Sequence, residues 1–364
     1  MRECKSISIA MMGLVGGLLS MTPIALAKDR DDTPRGKAAY VTFVPIDFPG
    51  AHDTAALDIN SAGEIVGRFT DPPGPPPPPP GGAVHGFLRN GLGQFTQIDF
   101  PTPGSPPVFT VAAGINSRGD IVGQYRLPGQ PMNERHGFLR TRDGTFITID
   151  PSGSLFTNVL GINRRGEMVG RFCSVLPCDK PHGFLLRSVV FTTIDFPGAA
   201  GTNAWGINNR GEIVGGYQDQ GTDGKSGSST DTPPSHVFLL REGQFKTIDF
   251  PGALRTAPDG TKGGINSRGD IVSYYCTAQP CGNMANQPLP PEQRFKTHFG
   301  FLLSGGDFAT TMDFPATTMG SPGGHVTANF GINARRDIVG TYNDAKGTAH
   351  GFLLKLEDRD EDED

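Results

Sequence analysis

The stretch that decides the fold is VFTTIDFPGAAGTNAWGINNRGEIVGGYQDQ, Val190–Gln220, followed after a variable insert by HVFLLREG, His236–Gly243. It is one copy of a unit that recurs six times, so a reading of this stretch is a reading of nearly the whole chain. Three anchors align the copies. IDFP or a variant places an aspartate at Asp47, Asp99, Asp150, Asp195, Asp249 and Asp313. GIN or a variant ends at Asn60, Asn116, Asn163, Asn208, Asn266 and Asn333. H-G-F-L or a variant is led by His85, His136, His182, His236, His298 and His350. The mean period is about 53 residues, near that of propeller repeats and longer than most helical solenoid units.

Composition agrees. The chain has 51 Gly, 32 Pro and 24 Phe in 364 residues, which suits many short strands joined by turns. A net charge of −5 without a basic stripe argues against nucleic acid as a partner. At the N-terminus Arg2 and Lys5 precede an apolar run, Ile7 to Leu19, and Ala25-Leu26-Ala27 offers the small residues of a signal-peptidase site. The expected division is a signal peptide over 1–27, a flexible lead-in over 28–39, a repeat domain over 40–355 and an acidic tail over 356–364 that stays disordered. The apolar run is too short and interrupted for a membrane anchor. The mature chain is therefore expected to be secreted, extracellular or periplasmic, without a membrane span, and monomeric.

Cysteine usage fits export. Cys4 leaves with the signal, and the other four form two local pairs, Cys173 with Cys178 and Cys276 with Cys281, at equivalent loops of their repeats. A repeated paired spacing in an oxidising compartment predicts two disulfides.

Within one unit, alternation and turns predict four strands: Asn203–Asn208, Glu212–Tyr217, His236–Arg241 and Phe245–Phe250. Asn209-Arg210-Gly211 supplies the first tight turn, with glycine taking a positive φ. Ile213 and Val214 point to opposite faces, as do Phe238 and Leu239, so both faces of the small sheet are apolar and need cover. Radial stacking covers both, which predicts an all-β fold, a six-bladed β-propeller of four-stranded antiparallel blades. The chain begins with an isolated fourth strand, Val41–Phe48, and ends with a third strand, His350–Lys355. The expectation is that the first strand completes the last blade and closes the ring.

This topology puts the short, uniform turns (SAG, SRG, RRG, NRG, SRG, ARR) on one face. The long, variable b–c and d–a connections fall on the other: Thr70–Val84 with its proline run, Gln218–Ser235, Thr277–Thr297 and Ala316–Thr327. Variable loops on a rigid scaffold are where ligands are usually bound.

The recurring F-x-T-I-D-F-P-G, G-I-N-x-x-G-x-I-V-G and H-G-F-L-L resemble the HAF repeats of bacterial extracellular proteins, over roughly Val41 to Leu354. The resemblance implies an exported β-repeat protein and brings no catalytic residues with it. Gly86, Gly137, Gly183, Val237 and Gly351 stand where the family's name motif has alanine, and His298 is displaced by one residue in HFGFLL.

The histidine and aspartate anchors invite an active-site reading. The hairpin between third and fourth strands sets His182 beside Asp195, and likewise His85 beside Asp99, His136 beside Asp150 and His236 beside Asp249, with His350 reaching Asp47 through closure. Repetition makes these structural hydrogen bonds rather than catalytic centres. The RGD triplets at Arg118 and Arg268 fall at turns that read RGE or RRD in other copies, so the repeat explains them. The turn arginines, Arg118, Arg165, Arg210, Arg268 and Arg335, with the acids that follow, read as a salt-bridged face. Asp71, Asp219 and Asp344 share one position at the end of the second strand and offer oxygen ligands to calcium or a ligand face, although turn capping is the commoner use. No other cofactor is indicated. The chain thus reads as a secreted binding propeller that takes a glycan or protein at its loop-rich face. The alternative is an extracytoplasmic enzyme, a calcium-assisted hydrolase or lyase acting at the channel mouth.

Overall fold

The computed structural model describes residues 24–25, 39–73, 82–105, 107–220, 235–257, 262–277, 281, 298–310, 327–344 and 348–358. The signal-peptide and lead-in assignments, the proline run, most of the variable inserts, Asp313 and most of the acidic tail lie outside these residues. Among those described, every regular element is a β-strand.

The fourth repeat forms a four-stranded antiparallel sheet of Gly201–Ile207, Ile213–Gln218, Ser235–Arg241 and Gln244–Ile248, within two residues of the spans expected. Its first turn is closed by the Gly211 N–H donating to the Asn208 carbonyl, with Gly211 at φ +82°. Its outer hairpin turns through Glu242 and Gly243, both at positive φ, the geometry that matches the twist of a two-residue hairpin. One feature escaped the alternation. The register between first and second strands slips between Ala204 and Gly206, a bulge that adds Trp205 to the first strand. The same slip occurs at the same place in the first, second, third and sixth repeats.

The sheets are arranged as a β-propeller of four-stranded antiparallel units. Six separate sheets were expected, but hydrogen bonding joins the strands into five. Four sheets each hold one repeat: the third, the fourth, the fifth and the sixth. The first and second repeats share one eight-stranded sheet, because Val84 pairs in parallel with Phe109. In the sixth repeat, Ala349–Asp358 pairs antiparallel with Ala39–Ile46 in unbroken register from Ala39 with Asp358 to Ile46 with Gly351. Ile24–Ala25 adds at the outer edge of that sheet.

Packing between units follows from the I-V-G sequence of the second strand. Ile213 packs within its own unit, while Val214 packs with Ile265 and Ile271 of the next. Val66, Val122, Val169 and Val272 reach the following repeat in the same way, and Val339 of the sixth packs with Ile59 and Ile65 of the first. The glycine after the valine is obligatory: a Cβ on Gly67 would lie 2.0 Å from the Ala55 carbonyl oxygen of the bulged strand. The ring of Phe87 also crowds this glycine. The fifth repeat has Ser273 here. Its first strand is broken into Arg255–Thr256 and Gly264–Ile265, so the bulge that crowds this position elsewhere is not built. Phe87, Phe138, Phe184, Phe238, Phe301 and Phe352, one per repeat, are buried completely, each stabilising the fold by about 1.5–3 kcal/mol.

Candidate functional site

The face of short turns is built from the GIN asparagines. The Asn208 Oδ1 accepts the backbone N–H groups of Arg210 and Glu212, and its amide donates to the Glu212 carboxylate at 2.6 Å. The same amide reaches the Asn266 carbonyl of the next repeat at 3.1 Å. The pattern continues from Asn60 to Asn116, to Asn163, to Asn208, and from Asn266 to Asn333. Asn333 donates in turn to the Asn60 carbonyl at 3.3 Å. Arginines add a second tier. Arg118, Arg165, Arg210 and Arg335 each pair with the acid two residues on, and Arg165, Arg210 and Arg335 also donate to a carbonyl of the neighbouring turn. At Asp270 the partner is Arg336 rather than Arg268, at 3.0 Å. The RGD acids Asp120 and Asp270 are thus held in ion pairs.

Along the axis the lumen is divided into three spaces. The space at the turn face, about 110 Å³, is lined by the GIN asparagines and isoleucines. A middle space of about 90 Å³ shares those isoleucines and adds Asp58, Trp205 and Lys262. A third, about 250 Å³, opens toward the long-loop side, with Lys262, Leu160 and Phe330 shared with the middle one.

The middle space contains two departures from the repeat. Asp58 stands where every other copy has glycine, and Lys262 stands where others have a small apolar residue or asparagine. Lys262 donates to the carbonyls of Leu57 and Ala113, and Asp58 accepts the Ile115 N–H at 2.9 Å. Asp58 touches the middle space and so counts as part-exposed, but that space lies deep in the molecule. Burial therefore raises its pKa, with the charge of Lys262 opposing. Burial lowers the Lys262 ammonium to about 8, with Asp58 opposing. Both shifts say that desolvation outweighs their mutual attraction.

The loop-side space draws three lining residues, Arg68, Gln124 and Arg171, from one position of the second strand, the residue after I-V-G. That position is Arg68, Gln124, Arg171, Gly216, Tyr274 and Thr341 in successive repeats. Gly216 is forced, since a Cβ there would lie 2.2 Å from the Trp205 ring, which fills the lumen on that side. Opposite, Arg68, Gln124, Arg171 and Asn158 line the space with Phe109. Arg68 pairs with Asp53 at 3.2 Å, and Arg171 donates to the Asn203 side-chain Oδ1 at 3.5 Å. The Gln124, Asn158 and Thr341 oxygens are buried without a hydrogen-bond partner. Arg126 faces Phe109 across the sheet, and the Arg135 guanidinium stacks on the Phe109 ring at 4.1 Å. Burial first, then the charge of Arg126, lowers the Arg135 pKa to about 10. Among the described residues neither Arg126 nor Arg135 has an ion-pair partner, and the Arg126 Nε is buried without an acceptor.

The sequence-predicted residues lie elsewhere, at the outer end of each unit on the loop side. The Nδ1 of His85 meets Asp99 at 2.8 Å, and that of His136 meets Asp150 at 2.7 Å. His182 with Asp195, His236 with Asp249 and His350 with Asp47 stand at 3.0 Å. Asp71 and Asp219 each hold the other ring nitrogen of His85 and His236 at 3.2 Å, and Asp344 stands 3.7 Å from that of His350. Hydrogen bonding to Asp99 raises the His85 pKa, and Asp249 does the same for His236. Each ring also lies against a second-strand aromatic, stacked in His85, His236 and His350, as His236 on Tyr217 at 4.9 Å, and tilted in His136 and His182; Tyr217 stacks on Phe196 at 3.6 Å. The three aspartates proposed for calcium are therefore distributed one per histidine. Among the described residues no group of three or more His, Cys, Asp or Glu side chains is placed to hold a metal ion. Two disulfides are present, Cys173–Cys178 and Cys276–Cys281, with Cα separations of 5.6 and 6.0 Å. A concavity of about 510 Å³ is an open groove between the third and fourth repeats whose Arg210 is already paired with Glu212.

The lumen residues were not singled out from sequence. The available signal was divergence inside a constant frame: one variable letter after I-V-G, a DIN among GINs and a lysine in the fifth GIN segment.

No family model matches the chain, and no curated protein matches it. Among solved structures it is similar to a mutant of AofleA from Arthrobotrys oligospora (11% identity, 88% of this chain and 90% of that one, TM-score 0.45). It is also similar to a gluconolactonase from Xanthomonas campestris (10% identity, 88% and 90% coverage, TM-score 0.46). A third is the β-propeller domain of the Trilobed protease from Pyrococcus furiosus (8% identity, 86% and 100% coverage, TM-score 0.39). Likenesses this distant carry no argument here, and the architecture rests on the chain's own sheets.

Proposed function

We propose that the chain is an exported, HAF-type six-bladed propeller that binds a small polar ligand in the loop-side space of its lumen. In this reading the eight-stranded sheet counts as two blades and Ala39–Ile46 closes the ring. The asparagine hydrogen bonds that run through all six repeats and return to Asn60 support both points. The two disulfides and the absence, among the described residues, of a helix long and apolar enough to cross a membrane are compatible with an extracellular address.

The observation that carries the binding reading is the contrast between the two ends of the lumen. At the turn face the asparagine side chains have partners; in the loop-side space the Gln124 and Asn158 oxygens are buried without one. Leaving a buried polar group unpaired costs about 1–3 kcal/mol, and a ligand that supplies donors removes that cost. Among the described residues the titratable side chains lining this space are Arg68, Arg171 and Lys262, with no carboxylate among them. That favours recognition over the acid–base chemistry the enzyme alternative requires.

Calorimetry and thermal shift against a panel of neutral and acidic mono- and oligosaccharides test this. At least one member should bind and raise the melting temperature. Val84→Trp, at the part-exposed rim of the space, should abolish that binding while leaving the fold intact. No binding by any member, or undiminished binding by Val84→Trp, overturns the reading.

A further inference from the structure

We infer that the loop-side space takes a neutral polyhydroxyl ligand, a single uncharged sugar ring, whose hydroxyls hydrogen-bond the side-chain amides of Gln124 and Asn158. This rests on the proposal that the lumen binds a ligand, and names the chemical class of that ligand.

The charged groups of the space are already engaged. Arg68 is paired with Asp53, and Lys262 donates to the Leu57 and Ala113 carbonyls with the Asp58 charge beside it. Arg171 donates to the Asn203 Oδ1 and lies over the Phe156 ring at 5.2 Å. An anion would have to draw these donors away from the partners they hold. A cation would meet three positive side chains and, among the described residues, no lining carboxylate. Charge therefore selects against both kinds of ion.

The two amides are the groups left over. They come from neighbouring repeats, Gln124 opposite Val111 in the second and Asn158 opposite Arg171 in the third, and both line the same space. Asn158 is 5% exposed, and its carbonyl oxygen, like that of Gln124, is buried without a donor. An anion brings further acceptors and leaves both oxygens unpaired. A hydroxyl donates and accepts, so a ring carrying several of them suits an amide whichever of its ends is turned toward the space. The terminal torsion of such an amide is broad and two-fold, which lets either end turn inward.

The remaining walls suit the apolar faces of such a ring. Leu57, Val84, Val111, Leu160 and Phe330 line the space, together with Phe109, whose ring is held by the Arg135 guanidinium stacked on it at 4.1 Å. The volume of about 250 Å³ lies below that of sites for drug-sized ligands, which sets the size at one ring rather than a chain of them.

The experiment titrates the intact mature protein by calorimetry with glucose, galactose, mannose and myo-inositol, beside glucuronate, galacturonate, glucosamine and tetra-O-methylglucose. At least one neutral ring should bind at least tenfold more tightly than any of the charged or methylated sugars. Its affinity should change less than twofold as ionic strength is raised from about 0.05 M to about 0.5 M, since no ion pair is made. Asn158→Leu and Gln124→Leu should each weaken that binding at least tenfold and leave the unliganded melting temperature close to wild type. Gln124→Met gives a further measure should a leucine variant fold poorly. Uronates binding as tightly as the neutral rings, with affinity lost at high salt, would overturn the neutral class and leave the lumen site standing. Tetra-O-methylglucose binding as tightly as glucose would sink the hydroxyl contacts. Neutral-sugar binding that Val84→Trp abolishes but both leucine variants keep would remove the amides from the site. If nothing binds, both readings fail together.

Discussion

The two ends of the lumen are made from the same repeat and have gone separate ways. At the turn face six copies of one asparagine make the same bonds, and arginine–acid pairs repeat around them. At the loop side the position after I-V-G carries arginine twice, then glutamine, glycine, tyrosine and threonine once each. Uniform residues with satisfied hydrogen bonds hold the units together, whereas among the divergent ones the Gln124 and Thr341 oxygens are buried without a partner. Repetition alone therefore points away from function in this chain.

The sharpest way to break the comparison is at the boundary between the two ends. Lys262→Met should destabilise the fold by about 3–5 kcal/mol, because it leaves Asp58 buried without a cation. Adding Asp58→Gly, the residue of the other copies, should restore most of that loss in a denaturant titration. The pair also predicts a pH signature. The Lys262 pKa is lowered on folding to about 8, so its contribution is present above the unfolded value of about 10.4 and is lost as pH falls through 8. The wild-type melting temperature should therefore rise between pH 8 and pH 10 relative to Lys262→Met. The raised pKa of Asp58 acts in the opposite sense, and Lys262→Met should recover stability as pH is lowered toward the ordinary carboxylate range.

Next in size, Asn208→Leu removes four hydrogen bonds at the turn face and should cost about 3–4 kcal/mol. An effect below about 1 kcal/mol would mean that the turn face does not hold the units together. Reduction of Cys276–Cys281, or Cys276→Ser with Cys281→Ser, closes off a short loop constraint and should cost about 2 kcal/mol by chain entropy. The smallest effect belongs to the loop side. Asn158→Leu should change stability by less than about 1 kcal/mol in either direction while eliminating ligand binding, since its carbonyl oxygen lacks a partner in the free protein. A large loss of stability there would return Asn158 to the scaffold.

Much of the frame was legible in the chain. Alternation around Ile213 and Val214 assigned one face to each neighbour, and the spacing of His236 from Asp249 placed them across one hairpin, because both depend only on local periodicity. The lumen lining was not legible. The bulge at Trp205 adds a residue to the first strand, so counting by twos from Asn208 puts the next residues on the wrong faces. The joining of the first two repeats was likewise out of reach, since it depends on one parallel contact between Val84 and Phe109. The arrangement Asp58 with Lys262 spans two repeats far apart in the chain, and either substitution read alone looks like drift.

The pairing of Ala39–Ile46 with Ala349–Asp358 sets an order on assembly. The strand translated near the start of the fold waits for a partner that is made last, some three hundred residues later. Until then its hydrogen-bonding edge stays open, an invitation to pairing with another chain. Completion of the last sheet thus withdraws that edge, and a chain cut before Ala349 keeps it on display to any protease or chaperone it meets.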